Sequence, residues 1–223
     1  MKSLSFPTKL YLLLTYAVGI LICALHIGQM DIGNPWLIIT LSVLASLTLI
    51  LKVEGSTNRS HYTFSFLVYG FTFAIFGPSE AILVILVSNI AEWIWNKPPW
   101  YIQLFNTGSY VIVMQLAGIT YTRINPLNSQ DTLQTALAIV VSLAVFNAVN
   151  HLMVGIVIWF ARGESLKRSG LFEFFPFMLD LALLYFGASL SIVWHHNPFA
   201  LVLFLIPLYL IYSPLRVPAL ERK

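Results

Sequence analysis

Charged residues are scarce in this sequence. They make up 9% of its 223 residues, whereas 58% are hydrophobic and the mean hydropathy is +0.82. Soluble domains carry about 25% charged residues, because their surface must be polar. The composition therefore excludes a soluble globular protein. Long apolar blocks alternate with short polar connectors, which is the pattern of a chain that crosses a bilayer repeatedly.

Cysteine and the common catalytic motifs are also nearly absent. Cys23 is the one cysteine, so this chain alone cannot form a disulfide or a CxxC metal site. The sequence contains no HExxH motif, no phosphate-binding P-loop, no dinucleotide fingerprint and no paired catalytic carboxylates. We therefore expect no metal, no cofactor and no catalytic residue here, and hence no enzymatic activity within these residues.

The apolar blocks predict an all-α, polytopic bundle of transmembrane helices with eight spans. Most blocks approach the length of about 20 residues that a membrane-spanning helix needs. They cover residues 10–27, 35–51, 61–76, 79–95, 101–121, 132–160, 174–193 and 198–213. No small-residue cleavage site follows the first block, so we interpret it as a retained span. Residues 1–213 are then the transmembrane domain, and 214–223 a short cytoplasmic tail or connector.

The break at Gly77-Pro78 leaves the number of spans open. The third and fourth blocks could form one long helix, or two helices joined by a tight hairpin at this dipeptide. Short loops rich in Lys and Arg stay in the cytoplasm. Eight spans place eleven of the twelve basic residues on one side and only Arg123 on the other, whereas fusing the two blocks divides them five against seven. The charges therefore favour a hairpin and both termini in the cytoplasm. The expected localisation is the inner (plasma) membrane.

Basic residues in connectors predict topology rather than nucleic-acid binding. The net charge is +3 and the pI about 9.0, but the basic residues form no stripe that could follow a phosphate backbone. The bilayer is the expected partner, and nucleic acid is not.

Polar residues inside the predicted spans are the candidate site. An ionisable group in hydrocarbon costs about 2.5 to 3.5 kcal/mol, so each one is a functional candidate by default. Seven residues, most of them in the predicted cytoplasmic half, form a proposed polar cluster: Asn89, Glu92, Asn106, Asn147, Asn150, His151 and Asp180. His151 and Asp180 lie at similar depth and could pair directly. Hydrogen-bonding between helices and a ligand or proton site remain alternative roles for the cluster.

The other ionisable residues have simpler interpretations. Glu92 is near the end of its span and could pair with Lys97. Glu80 should complement the positive end of the fourth helix, with Ser79 as its cap. The remaining histidines have no partner at a useful spacing: His26 and His61 are interpreted as interfacial, and the adjacent His195 and His196 as loop residues rather than metal ligands.

Three stretches carry a family resemblance: residues 96–106 (NKPPWYIQLFN), 146–152 (FNAVNHL) and 207–223, which ends LRVPALERK. They resemble the multi-helix membrane sensor (MASE-like) input regions that precede GGDEF or HD-type domains in bacterial signalling proteins. The resemblance implies a cytoplasmic cyclic-dinucleotide synthase or phosphohydrolase beyond the connector. No catalytic residue can be carried over, because the resemblance covers the sensor half alone.

The favoured function is therefore a membrane sensory or input domain that relays a stimulus through the last helix. Its expected protein partners are a cytoplasmic signalling domain or partner, and a second copy of the chain in a homodimer. A small-molecule transporter or substrate-binding membrane component is the alternative, for which the Gly77-Pro78 break and the polar cluster would line a pathway. A subunit with a purely structural or assembly role is a third, weaker reading.

Overall fold

The chain forms a bundle of apolar helices, as a computed structural model describes it for residues 4–28, 33–54, 61–126, 132–163 and 174–198. Seven helices lie in these ranges: α1 (Phe6–Ile27), α2 (Pro35–Ile50), α3 (Ser65–Phe76), α4 (Pro78–Asn96), α5 (Trp100–Ile124), α6 (Thr132–Arg162) and α7 (Phe174–His196). A two-residue antiparallel pair, β1 (Val53–Glu54) and β2 (His61–Tyr62), joins α2 to α3. Each helix matches one predicted apolar block, in order, so the all-α prediction is confirmed. The eighth block, apart from Pro198, and the connector 214–223 lie outside the described residues.

Proline and short polar side chains set where several helices begin. Proline occupies one of the first two positions of α1, α2 and α4, where its missing N–H is not needed and its fixed φ suits the helix. Asn34 caps α2, since its side-chain oxygen accepts a hydrogen bond of 3.1 Å from the Leu37 backbone N–H. The apolar runs that follow these signals extend until the next polar connector.

The helices differ in length. Five are long and apolar enough to cross a membrane: α1, α4, α5, α6 and α7. In contrast, α2 has 16 residues and α3 only 12, which at 1.5 Å per residue is roughly 24 and 18 Å against a hydrocarbon core of about 30 Å. Nine consecutive residues of α3, 65–73, are buried. The shortest helix is therefore enclosed by the other helices.

The Gly77-Pro78 dipeptide joins α3 and α4 in a hairpin. The Tyr69 and Ser88 hydroxyls are hydrogen-bonded at 2.8 Å, whereas in one continuous helix they would lie about 28 Å apart. Gly77 makes this turn with a φ of +93°, a conformation that costs glycine little. The predicted hairpin is confirmed, and the alternative of one fused helix is wrong.

Successive helices alternate in direction. α4 and α5 are antiparallel, because Pro78 lies against Gly118 while the Gln103 amide donates to the Asn89 carbonyl. Contacts of Asn125 with Thr135 and of Tyr185 with Val140 show the same for α5 with α6 and α6 with α7. The Tyr16 hydroxyl donates to the Tyr101 backbone carbonyl, and the His26 and Gln115 side chains are hydrogen-bonded, so α1 is parallel to α5. The described chain thus runs up and down through the bundle.

This alternation separates the described basic residues. Lys9, Lys52, Lys97 and Arg162 lie at one end of the bundle, which we call the basic end, and Arg123 lies at the opposite end. The other basic residues of the sequence lie outside the described ranges. The separation agrees with the division of charge that the eight-span interpretation requires.

Two glycines bring the backbones of α3 and α7 into contact. A Cβ atom at Gly70 would lie 2.2 Å from the Leu184 carbonyl oxygen, and one at Gly187 would lie 1.9 Å from the Leu67 carbonyl oxygen. Neither distance leaves room for a methyl group, because both obstacles are backbone atoms. Small residues at helix contacts allow this close approach in membranes.

We predict that Gly187→Ala destabilises the protein by about 1 to 3 kcal/mol, since the added methyl group forces α7 away from α3. Thermal unfolding in detergent measures the effect as a lower midpoint. Gly33→Ala is the matched control, because nothing lies within 4 Å of a Cβ atom there. Equal midpoints for the two variants would contradict the close backbone contact.

Candidate functional site

A His–Asp pair joins α6 to α7. His151 Nε2 lies 3.1 Å from Asp180 Oδ2, and the two side chains are 5% and 16% exposed. The His151 ring also packs on Phe177, with ring centroids 5.1 Å apart. The direct pair expected from the similar depth of the two residues is confirmed as a contact.

Two amides of α6 lie beside this pair in the sequence. Asn147 donates through Nδ2 to the Phe177 carbonyl at 3.0 Å, and it shares one helix face with His151, four residues on. The side-chain oxygens of Asn147 and Asn150 are buried and accept no hydrogen bond from the described residues. A buried polar atom without a partner costs about 1 to 3 kcal/mol. This part of α6 therefore has hydrogen-bond acceptors that its own packing does not use.

A second polar group lies nearer the basic end, between α2, α4 and α5. Lys52 Nζ lies 2.6 Å from Glu92 Oε1, and the two side chains are 30% and 5% exposed. Gln103 donates through Nε2 to Glu92 Oε2 at 3.2 Å and to the Asn89 carbonyl at 2.7 Å. The Glu92 carboxylate is therefore held by a cation that follows the end of α2 and by an amide from α5.

The expected pairing of Glu92 with Lys97 is wrong. Lys97 follows the last residue of α4 in the left-handed conformation, with φ of +49°, and a spacing of five residues does not bring two side chains onto one helix face. The actual partner, Lys52, is 40 positions earlier in the chain. Only the packing of α2 against α4 brings it there.

Aromatic rings lie between the two polar groups. Tyr110 stacks on Phe146 with centroids 6.5 Å apart and packs on Tyr69 at 6.0 Å. Phe66 contacts all three rings. Tyr69 is tied to α4 through Ser88, and Phe146 directly precedes Asn147 on α6.

The seven predicted site residues therefore occupy three places. Asn89 and Glu92 belong to the group with Lys52, and the α6–α7 group contains Asn147, Asn150, His151 and Asp180. Asn106 is separate from both, in a surface groove between α1, α5 and α6. Sequence reasoning placed most of them in the cytoplasmic half of the bundle but could not show which helix faces meet.

His26 has partners that the sequence did not predict. Its Nδ1 lies 2.7 Å from the Ser79 hydroxyl, and its Nε2 is hydrogen-bonded to Gln115 Oε1. His26 is buried and ties α1 to α4 and α5 at the end away from the basic residues. Its interfacial position stays a prediction, and the sequence could not show these two partners, because they are 53 and 89 positions away in the chain.

The expected cap of α4 is also wrong in one respect. Gly77 is the capping residue, and no side chain caps this helix, since Ser79 bonds to His26 instead. Glu80 does lie in the first turn of α4 and is buried there. His195 and His196 are not loop residues as expected, because α7 continues through both of them; they are exposed in its last turn. In the part of the chain that the structure describes, no three metal-ligating side chains converge.

The class of molecule follows from these observations: a bundle of apolar helices, five of them able to cross a membrane, with buried polar groups between helices. Comparison with known proteins does not extend this description. No protein-family model matches the chain, and no curated protein or solved structure gives a significant match.

We predict that Lys52→Met lowers the free energy of unfolding by about 1 to 3 kcal/mol, because it leaves the buried Glu92 carboxylate without its cation. Lys97→Met, which removes the same charge from an exposed position, should change stability by less than about 0.5 kcal/mol. Chemical denaturation of both variants in detergent makes the comparison. A larger loss in Lys97→Met would restore the pairing expected from the sequence.

We also predict that His151→Ala and Asp180→Asn are non-additive, with a coupling of about 0.5 to 2 kcal/mol, because the residues contact each other inside the bundle. A double-mutant cycle on unfolding free energies measures the coupling. Asp180→Asn combined with His195→Ala is the control cycle and should be additive, since His195 is exposed and far along α7. Additive effects in the first cycle would remove the pair.

Proposed function

We propose that the chain is a membrane-embedded sensory or input domain of a bacterial signalling protein. In this proposal eight helices cross the inner membrane, with both termini in the cytoplasm. A change at the α6–α7 polar group alters helix packing, and the eighth span, 198–213, relays the change to a cytoplasmic output through residues 214–223. The observation that carries the proposal is the buried His151–Asp180 pair, beside amide oxygens that the packing does not use.

The orientation rests on charge. Four described basic residues lie at the basic end and one at the opposite end, and the basic ends of membrane bundles face the cytoplasm. Large apolar side chains are exposed along the outside of the bundle, among them Leu13, Ile20 and Leu21 of α1 at 56%, 69% and 59%. An exterior of this kind suits lipid and not water.

The His151–Asp180 pair suits a relay because its strength depends on what binds to it. Removing or adding one proton, or placing a polar molecule between the two groups, changes the charge balance of a contact that water barely reaches. A stimulus shifts a conformational equilibrium only if it has different affinity for the two states. A pair that is intact in one packing of α6 on α7 and separated in another would provide that difference.

The position of α7 favours the same conclusion. It is the last helix before the proposed eighth span, and it is bound on one side by the His–Asp pair and on another by the glycine contact with α3. A shift of α7 would therefore change the packing of the enclosed helix α3 and the position of the C-terminal part of the chain.

The stretch 146–152, one of the three that resemble bacterial input regions, includes Asn147, Asn150 and His151.

The proposed relay can be tested by fusing a GGDEF-type cyclic-dinucleotide synthase after residue 223 and measuring its product in cells. Asp180→Asn should change the product level about fivefold or more at equal expression, since roughly 1 kcal/mol shifts a two-state equilibrium by that factor. His195→Ala, an exposed residue of the same helix, should leave the level unchanged. Equal output from the native chain and Asp180→Asn would contradict the proposal.

The proposed orientation predicts which connectors are accessible from outside the cell. On a Cys23→Ala background, Asn96→Cys at the basic end should react with a membrane-impermeant maleimide only after lysis. Thr122→Cys, at the opposite end, should react in intact cells; both positions are exposed in the bundle. Labelling of Asn96→Cys in intact cells would overturn the cytoplasmic assignment.

Transport of a small polar molecule is the second candidate. Buried acceptors on α5 and α6, at Gln103, Asn147 and Asn150, favour it, while the aromatic layer between the two polar groups opposes a continuous polar path. Uptake into proteoliposomes that is lost in Asp180→Asn would favour transport over the relay.

A further inference from the structure

A groove between α1, α5 and α6 has an apolar interior and a charged opening. It has a volume of about 340 Å³, and its walls include Leu12, Phe105, Val154 and Ile158. Arg162, the last residue of α6, lines its opening at the basic end. The groove therefore combines a surface for a hydrocarbon chain with a cation at the level of the membrane interface.

Two of the polar residues that line this groove, Arg162 and Asn106, are placed to bind a ligand. Arg162 is exposed, and its guanidinium has no ion pair with any residue that the structure describes. Asn106 lines the groove one level deeper, six residues into α5, which is roughly 9 Å along the helix. The interfacial layer on each side of a bilayer is about 5 to 8 Å thick. With Trp100 at the outer edge of this layer, as the proposed membrane placement has it, Asn106 lies near the depth where lipid ester groups give way to acyl chains.

We propose that this groove binds a glycerophospholipid with an anionic headgroup. The Arg162 guanidinium would donate two parallel hydrogen bonds to the lipid phosphate, a geometry that suits arginine better than lysine. The Asn106 amide would donate to an ester carbonyl, and one acyl chain would lie against Leu12, Phe105 and Val154. Basic pockets between transmembrane helices on the cytoplasmic side are typical sites for anionic headgroups. The proposal requires the membrane placement but not the sensory role.

A second groove provides an internal contrast. It lies between α1, α4 and α5 and has a volume of about 390 Å³. Residues such as Ile20, Cys23 and Leu104 line it, and none of its described lining residues is charged. Such a surface accepts any acyl chain and cannot select a headgroup. Selectivity for anionic lipid is therefore expected from the groove at Arg162.

Native mass spectrometry can test the proposal on the full chain, reconstituted with equal amounts of phosphatidylglycerol and phosphatidylcholine and then released into detergent. The native chain should retain phosphatidylglycerol in preference. Arg162→Gln should reduce its retention about tenfold, the factor that corresponds to the loss of roughly 1.4 kcal/mol. Arg123→Gln, the same change at the opposite end of the bundle, should retain the native preference.

A variant that fills the groove with a large side chain distinguishes binding in the groove from attraction to the Arg162 charge alone. Ala161 lines the groove and is exposed, so Ala161→Trp should block the acyl chain while keeping Arg162, and retention should fall as in Arg162→Gln. The thermal midpoint of each variant, measured in lipid-free detergent, checks that it is folded. Three outcomes would overturn the proposal: equal retention of both lipids by the native chain, equal losses in Arg162→Gln and Arg123→Gln, or native retention by Ala161→Trp.

Discussion

The enclosure of α3 is the constraint on which the rest of the bundle depends. This helix has 12 residues and is buried along nine of them, so it can reside in the bilayer interior only if other helices surround it. α7 does so by direct backbone contact at Gly70 and Gly187. α4 does so through the hairpin at Gly77, and α5 and α6 supply the aromatic rings of Tyr110 and Phe146 that pack on Phe66. The longer helices are arranged around the shortest one.

The polar groups follow from the same arrangement. In a bilayer, helices do not associate by excluding water, so close packing and hydrogen bonds between helices hold them together. The Lys52–Glu92–Gln103 group joins α2, α4 and α5, and the His151–Asp180 pair joins α6 and α7. His26 joins α1 to α4 and α5 at the opposite end. Removing a partner therefore removes a link between helices as well as a contact.

The positions of the helices and of the hairpin were predictable, because they depend on the local pattern of apolar and charged residues. Contacts between helices distant in the chain were not, because they depend on which helix faces pack together. Hydropathy located the seven described helices, and the charges selected the hairpin at Gly77-Pro78. The His151–Asp180 contact followed from depth, because consecutive helices are neighbours. Lys52 was missed as the partner of Glu92, and Ser79 and Gln115 were missed as partners of His26, because each partner is tens of residues away in the chain. The enclosure of α3 left no signal in a helix that is apolar on every side, since lipid and protein neighbours select the same side chains.

The close contact between α3 and α7 also has a consequence for biosynthesis. Gly70 and Gly187 are 117 residues apart, and at about 5 to 20 residues per second a ribosome needs roughly 6 to 23 seconds to make the intervening chain. During that interval α3, too short to span the hydrocarbon by itself, gains α4, α5 and α6 as neighbours one after another, but it lacks α7 until the interval ends. The nascent protein therefore passes through a stage in which its innermost helix lies at the edge of a half-built bundle, where chaperones and proteases of the membrane can reach it.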